Sequence, residues 1–338
     1  MIKVGVIGAG FAGSFHARAY AKTPGVEVTM VADRNGDKAG ALAAELGARA
    51  AADPDAVLCD PSILIVDVAL PTPLHPEYAI RALEAGKHVV IEKPLSLSVE
   101  EADAIIDAAD KSGRYLMVAH VLRFWPEYIA IRKVLQSGRL GRPRIATAHR
   151  LCNLPQWASW FRDPTMTGGS VLDLHIHDLD MVNWLFGQPR WVRAIGAQSE
   201  LGGWDHVITQ VAYDTVYASV EASNLMPLDF PFTAGLRVVC DRGVIEYQFR
   251  AGGASFESGQ PQHYCLIHEP GQPNQPVEFE PGDAFEQEIA YFVSCVERGT
   301  PPDIVTADDA RLAVQTALAA RTSLETGDIV EISSAERS

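Results

Sequence analysis

The sequence predicts an α/β protein of two domains: a doubly wound parallel sheet over residues 1–120, then an α+β domain with an antiparallel sheet over 121–338. Three observations carry this. Short apolar runs alternate with amphipathic helical stretches up to about residue 120. Beyond that point strand-like runs follow one another on short connections. A chain of 338 residues is also long for one domain and comfortable for two.

In the first domain Val4–Ile7, Val26–Val31, Ile63–Ala69, His88–Ile91 and Tyr115–Ala119 read as strands. Their near-continuous apolar character fits a sheet covered on both faces. Phe11–Ala21, Asp37–Leu46, Pro76–Ala85 and Val99–Ala109 read as helices, with Gly47, Gly86 and Gly113 as stops and Asp53-Pro54 as a further helix start. In the second domain Pro126–Ser137 reads as a helix ended by Gly138. Val192–Ala197, Val207–Tyr213, Tyr217–Ala222, Leu236–Cys240 and Val244–Phe249 read as strands, and Cys240–Val244 as a hairpin. Residues Ala251–Pro281, rich in Gly, Pro and Gln, read as loop with at most one edge strand. Helices Ala284–Arg298 and Ala307–Leu324 are placed to return to the first domain, and Gly327–Ile332 is a last strand.

The first βαβ unit carries the clearest chemistry. Gly8-Ala9-Gly10-Phe11-Ala12-Gly13 follows a strand and opens a helix, and Asp33 closes the next apolar run about 20 residues on. Gly8 allows the tight turn, Gly10 lets the backbone approach a pyrophosphate, and Gly13 lets helix and strand pack closely. The free N–H groups around Phe11 and Ala12 attract the anion. Asp33 then accepts hydrogen bonds from a ribose diol and repels a 2′-phosphate, which favours NAD. Arg34 next door is able to face a phosphate or stack on adenine, so NADP stays open.

Two further segments end at the same edge of the sheet. Pro71-Thr72-Pro73 follows the Ile63–Ala69 strand, and Glu92-Lys93-Pro94 ends the next one. In an open parallel sheet the ligand crevice lies at the carboxyl ends of the strands, so Lys93 reads as a catalytic ammonium rather than a loop residue. In the second domain Gly168-Gly169 leads into a helix predicted to run to Phe186 and stop at Gly187. Asp173, His177 and Asp180 fall at i, i+4 and i+7 on one face. An acid one turn from a histidine orients the ring and stabilises its protonated form. On a regular helix His175 lies about 200° from His177. That weighs against zinc held by both with Asp173 or Asp178, and no metal is predicted. Trp157, Trp160 and Phe161 fit either stacking on a sugar ring or a place in the core or an interface. Arg162, directly after them, is assigned to the cofactor.

Bulk properties exclude several classes. With 47% hydrophobic and 21% charged residues the composition is that of a globular protein, and a net charge of −15 argues against nucleic acid or an anionic membrane as partner. Cys59, Cys152, Cys240, Cys265 and Cys295 are odd in number and scattered, which fits reduced thiols. Met1 leads directly into the first strand, leaving no room for a signal peptide. No apolar run reaches membrane-spanning length, so a cytoplasmic location is expected.

Nearly end to end, the chain resembles the Gfo/Idh/MocA family of nicotinamide-dependent sugar and cyclitol dehydrogenases. The resemblance rests on the glycine motif, Pro71-Thr72-Pro73-x-His75, and Ala85-Gly86-Lys87-His88-Val89-Val90-Ile91-Glu92-Lys93-Pro94. It continues with Arg123-Phe124-x-Pro126, Gly138-Arg139-Leu140-Gly141, Gly168-Gly169 and Asp173-x3-His177. It implies a Rossmann domain followed by a large open antiparallel sheet that often mediates oligomers, here a homodimer or homotetramer. It also implies Lys93 and His177 as the catalytic pair with Asp173 beside them. Pro71, Thr72, His75 and Glu92 join the cofactor side; His120, Arg123 and His175 join Trp157 and Trp160 on the substrate side. His175 stands where many members have glycine, and its side chain is expected at the pocket rim. The implied activity is hydride transfer between the nicotinamide and a sugar or cyclitol hydroxyl. Two rivals differ in readout: an NAD-dependent glycoside hydrolase gives cleavage without net NADH, and a non-catalytic sensor has no need of Lys93, Asp173 and His177.

Overall fold

The computed structural model describes residues 1–155, 159–252 and 262–333. The chain divides into two compact units, Met1–Trp125 with Gly282–Arg311, and Pro126–Pro281 with the residues from Leu312 onward.

The first unit runs β1 (Ile2–Ile7), α1 (Phe11–Lys22), β2 (Val26–Ala32), α2 (Gly36–Leu46), β3 (Arg49–Ala51), α3 (Asp55–Leu58) and β4 (Ile65–Val68). It continues with α4 (His75–Glu84), β5 (His88–Glu92), α5 (Val99–Ser112) and β6 (Leu116–Ala119). Among the described residues its strands form one parallel sheet in the order β3-β2-β1-β4-β5-β6. The order reverses between β1 and β4, which creates the switch point where the carboxyl ends of strands open a ligand crevice. β4 and β6 are buried along their whole length and β5 along all but its last residue, which is why they read as unbroken apolar runs. Local signals set the helix ends. Asn35 caps α2 by accepting from the Asp37 and Lys38 amides, Ser98 caps α5 through Glu101, and Gly47 and Gly113 end the same helices. The short β3 and α3 lie in a stretch the periodicity left without a strand. The helix Ala284–Arg298, α10 in chain order, packs on α1 and belongs to this unit.

The second unit contains α6 (Pro126–Gln136), β7 (Pro143–Leu151), α7 (Pro164–Thr167), α8 (Ser170–Asp173) and α9 (Ile176–Phe186). Strands β8 (Trp191–Gln198), β9 (Trp204–Ala212), β10 (Tyr217–Ser223), β11 (Phe232–Cys240) and β12 (Gly243–Ala251) follow. β13 (Gln262–His268), β14 (Gln275–Pro276) and β15 (Val330–Glu331) complete a nine-stranded sheet among the described residues. The last helix, α11 (Ala307–Thr326), precedes β15.

The hairpin expected at Cys240–Val244 is present, Cys240 pairing with Gly243 across Asp241-Arg242. The sheet is antiparallel as expected in every pairing among the described residues but one, β7 with β10, which run parallel. Short turns fix the direction of neighbouring hairpin strands, but β7 and β10 are far apart in sequence and no turn sets their direction. The 251–281 stretch also holds a full strand, β13, paired with β12 along its length. The sheet buries Ala146, Ala148, Val220, Leu236 and Val238 on one face. Its other face presents Ile145, Ile195, Tyr217, Val239 and Tyr264 to solvent, and the register aligns Tyr217, Ile145 and Val239 in one row. No described helix is long and apolar enough to cross a membrane.

Candidate active site

The turn between β1 and α1 is shaped by its glycines. Gly8 has φ +107°, and a Cβ there would sit 2.1 Å from the Ala69 carbonyl oxygen. A Cβ on Gly13 would sit 1.9 Å from the Gly8 carbonyl oxygen, so helix and turn touch backbone to backbone. At Gly10 the space is open, with nothing within 4 Å of an added Cβ. Gly10 is also the N-cap of α1 and supplies no side-chain cap, so the amides of the first turn, at exposed Phe11 and half-buried Ala12, meet that open space. This is the cradle an anionic pyrophosphate requires. Asp33 ties its two walls together, one oxygen accepting from the Ala9 amide at 2.8 Å and the other from Asn35 at 2.7 Å. Arg34 beside it is exposed. The residues present fit a dinucleotide.

Pro71 and Thr72 lie in the 3-10 turn region that follows β4, with Thr72 buried. His75 corrects an expectation. It is fully buried, one ring nitrogen 2.8 Å from the Leu70 carbonyl and the other 2.8 Å from the Pro94 carbonyl. Both nitrogens face backbone carbonyls, so His75 braces the two loops instead of reaching a ligand; burial pushes its pKa down, and the Leu70 and Pro94 carbonyls oppose that shift. Lys93 is half-buried at the carboxyl end of β5, joined to Pro94 by a cis peptide bond. Glu92 accepts from the Lys93 amide at 3.1 Å.

Beneath this edge lies a cluster that the sequence reading missed. His16 of α1 is fully buried, with Nδ1 3.1 Å from both oxygens of buried Asp67. Its Nε2 lies 3.2 Å from Glu92 Oε1, within ion-pair range though off the angle of a regular hydrogen bond. Burial alone would lower the His16 pKa, but Asp67 and Glu92 outweigh it and hold the ring well above the usual range. Burial likewise pushes Glu92 up, and His16, with Lys93 assisting, brings it below the ordinary glutamate value. Tyr20 and Glu288 complete the cluster, both fully buried. The missed signal was a charge inside an apolar strand, Ile65-Val66-Asp67-Val68, facing a histidine on the buried side of α1.

In the second unit the predicted single helix is broken. The His175 amide donates to the Ser170 carbonyl at 2.7 Å, a five-residue step that inserts an extra residue between α8 and α9. Asp173 and His177, both half-buried, therefore stand on either side of a π-type turn rather than one regular turn apart. His175 is not at a rim. Its ring is fully buried, Nε2 lies 2.7 Å from Thr209 Oγ1 of β9, and burial pushes its pKa down to about 3. A neutral enclosed ring is a packing residue. A buried network steadies the start of α8: Ser170 donates to Asp205 at 3.0 Å and accepts from Asn224 at 2.7 Å.

The remaining assignments divide. Arg123 is 1% exposed, its guanidinium 3.0 Å from Asp309 and 2.8 Å from the Ile304 carbonyl, so it secures its own unit and is closed to substrate. His120 is 1% exposed, which closes its ring to solvent as well. Trp160 is half-buried and stacks on Phe161 at 4.1 Å, and Arg162 is exposed after them. Trp157 lies outside the described residues.

Comparison with known proteins decides the family. Residues 2–120 match the model of an oxidoreductase family with an NAD-binding Rossmann fold, and residues 128–246 match the GFO/IDH/MocA C-terminal domain. UDP-N-acetylglucosamine 3-dehydrogenase of Acidithiobacillus ferrooxidans is 31% identical over 89% of this chain and 90% of its own length. The chain belongs to the Gfo/Idh/MocA family of oxidoreductases. A second relative, scyllo-inositol 2-dehydrogenase (NAD(+)) of Bacillus subtilis, is 28% identical over 98% of this chain and 96% of its own. Among solved structures, GenD2 from gentamicin A biosynthesis in complex with NAD is 25% identical, with a TM-score of 0.83, covering 98% of this chain and 97% of that one. Residues 2–120, which contain the Gly8–Gly13 turn, thus form the NAD-binding Rossmann domain of an oxidoreductase.

Proposed function

We propose that the chain oxidises a secondary or anomeric hydroxyl of a sugar or cyclitol. The relatives named above act on an inositol and on a nucleotide sugar, which supports that substrate class. The carrying observation is the bracing of Lys93 at the carboxyl end of β5, with Glu92 held by His16 on one side and the Pro94 carbonyl by His75 on the other. A lysine fixed there is set to act on a reacting oxygen. NAD, which supplies the hydride acceptor, is held by the Gly8–Gly13 turn and by Asp33, whose carboxylate disfavours a 2′-phosphate. Pro71, Thr72, Glu92 and Arg162 complete the cofactor side.

His177 takes the hydroxyl proton as general base. Lys93 stabilises the developing alkoxide and discourages protonation of the imidazole before substrate binds. Asp173 orients the pair. Trp157 and Trp160 are assigned to the sugar's apolar face. The enzyme works as a cytoplasmic homodimer or homotetramer formed through the exposed sheet face around Ile145, Ile195 and Tyr217, a surface on which Ile145→Asp should yield monomers in sedimentation. Nucleic acid and membrane are not partners on this reading.

The test is NADH formation over a panel of aldoses, inositols, sugar acids and sugar phosphates. A substrate should appear with NAD⁺, and Lys93→Ala or His177→Ala should each lower kcat by about 10²–10⁴-fold. Near-wild-type rates in both variants would refute the assignment.

A further inference from the structure

The buried cluster under the Rossmann switch point gathers several ionisable groups where a core offers them little water. Around His16 stand Asp67 from β4, Glu92 from β5, Glu288 from α10 and Tyr20 from its own helix; Lys93 and His75 flank Glu92. Asp67 and His16 are fully buried and Glu92 is 14% exposed.

A neutral imidazole has one N–H donor and one lone pair. Here both nitrogens face carboxylate oxygens, so a neutral ring would set a lone pair against an anion on one side. Only the imidazolium, with two N–H groups, suits both neighbours. The ring thus links the helix that begins at the NAD turn, the central strand beside it, and the residue directly before Lys93.

We propose that His16 is a positioning residue for Lys93: its imidazolium, held between Asp67 and Glu92, fixes the Glu92-Lys93 backbone to α1 and so sets where the ammonium stands. This rests on the reading of Lys93 as the group that acts on substrate oxygen. Glu92 is the transmitting element, because one of its oxygens meets His16 and the other accepts from the Lys93 amide. A sub-ångström release of that backbone matters, since misplacing a reacting group by about 1 Å costs on the order of 10² in rate. The same link couples the NAD turn to the catalytic edge through one side chain.

Two variants and one spectroscopic measurement test it. Imidazole ¹⁵N spectra of histidine-labelled protein without cofactor, with His16→Gln identifying the signal, should show His16 doubly protonated at pH 7. In Glu92→Gln, which keeps the side chain's length and an acceptor, the ring should lose its proton at a lower pH. Turnover of NAD⁺ with the panel substrate of highest kcat/KM should fall in kcat by about 10–10²-fold in both variants, with the KM for NAD⁺ changed far less in His16→Gln. Glu92→Gln should also gain an alkaline limb in kcat where His16 deprotonates, a change that a merely structural role would not produce. Thermal melts of both variants check folding, and Glu92→Gln, at a partly exposed site, carries the test if His16→Gln unfolds. A neutral His16 at pH 7 overturns the proposal, as does wild-type kcat with an unchanged pH profile in the folded variants while Lys93→Ala is inactive. Wild-type activity in Lys93→Ala would remove the reading of Lys93 and this proposal with it.

Discussion

Replacing Glu288 by glutamine should raise the protein's stability relative to wild type steadily as the pH rises. Glu288 is fully buried, and neither carboxylate oxygen has a hydrogen-bond partner among the described residues. Burial pushes its pKa well above the ordinary 4.5; His16 opposes this, and Glu92 and Asp67 add to it. The native carboxyl therefore keeps a proton that the unfolded chain releases near pH 4.5. From there up to the native pKa the folded state binds one proton more than the unfolded state. Stability then falls by about 1.4 kcal/mol per pH unit. The contribution is complete below pH 4.5 and is lost as pH climbs toward the native value. Glutamine has nearly the same shape and does not titrate, so it removes this slope. Two pH units inside the window should widen the gap between variant and wild type by about 2.7 kcal/mol. The amide brings its own unpaired donors, a pH-independent cost of about 1–3 kcal/mol. The slope of the difference is therefore the test, and its offset is not. The assay is urea unfolding of both proteins at steps from pH 5 to 9, with m compared at each step. Groups common to both chains cancel to first order in the difference. Parallel stability curves would refute the reasoning, because they would mean that Glu288 titrates alike in both states.

Other expectations follow from the same geometry. Gly13→Ala forces a Cβ to within 1.9 Å of a backbone oxygen and should destabilise the first unit by about 1–3 kcal/mol, seen as a lower Tm. Gly10→Ala meets open space, so its Tm should hold while NAD affinity, read by fluorescence titration, drops at least about tenfold through loss of the pyrophosphate's approach. His175→Ala should lose about 2–4 kcal/mol near neutral pH, from the cavity and the Thr209 hydroxyl left without its partner. Because the native ring resists protonation down to about 3, wild type should also lose stability as pH falls below about 6.5, and this variant should lose less of it. Asp33→Ser should improve kcat/KM with NADP⁺ relative to NAD⁺; an unchanged ratio would show that Arg34 governs the choice.

The family and the first unit were legible in the sequence because their determinants are local. The glycine turn needs residues of a given size at fixed offsets, the buried parallel strands need unbroken apolar runs, and Asp33 follows its strand directly. Lys93 was read the same way, as a charge beside a proline, and the structure puts it directly after β5. The site was less legible where a residue's role depends on what folds against it. His75 and Arg123 lie in recognisable motifs, yet backbone carbonyls and Asp309 take up their polar atoms. His175 was placed at a rim because it stands where many family members have glycine, but the π-type turn and Thr209 enclose it. The mixed pairing of β7 with β10 was equally hidden, since neither strand says which distant partner it will meet.

Periodicity, glycine spacing and strand-end chemistry thus determined from the sequence alone a Rossmann unit, a sheet-bearing second unit and a nicotinamide chemistry. Only the tertiary structure decided which polar residues are buried against one another: His16 with Asp67 and Glu92, Arg150 with Asp178, and Glu288 with no hydrogen-bond partner among the described residues. The physical reason is that a side chain's charge state and role depend on its dielectric surroundings and on partners that are distant in sequence, and folding brings both together.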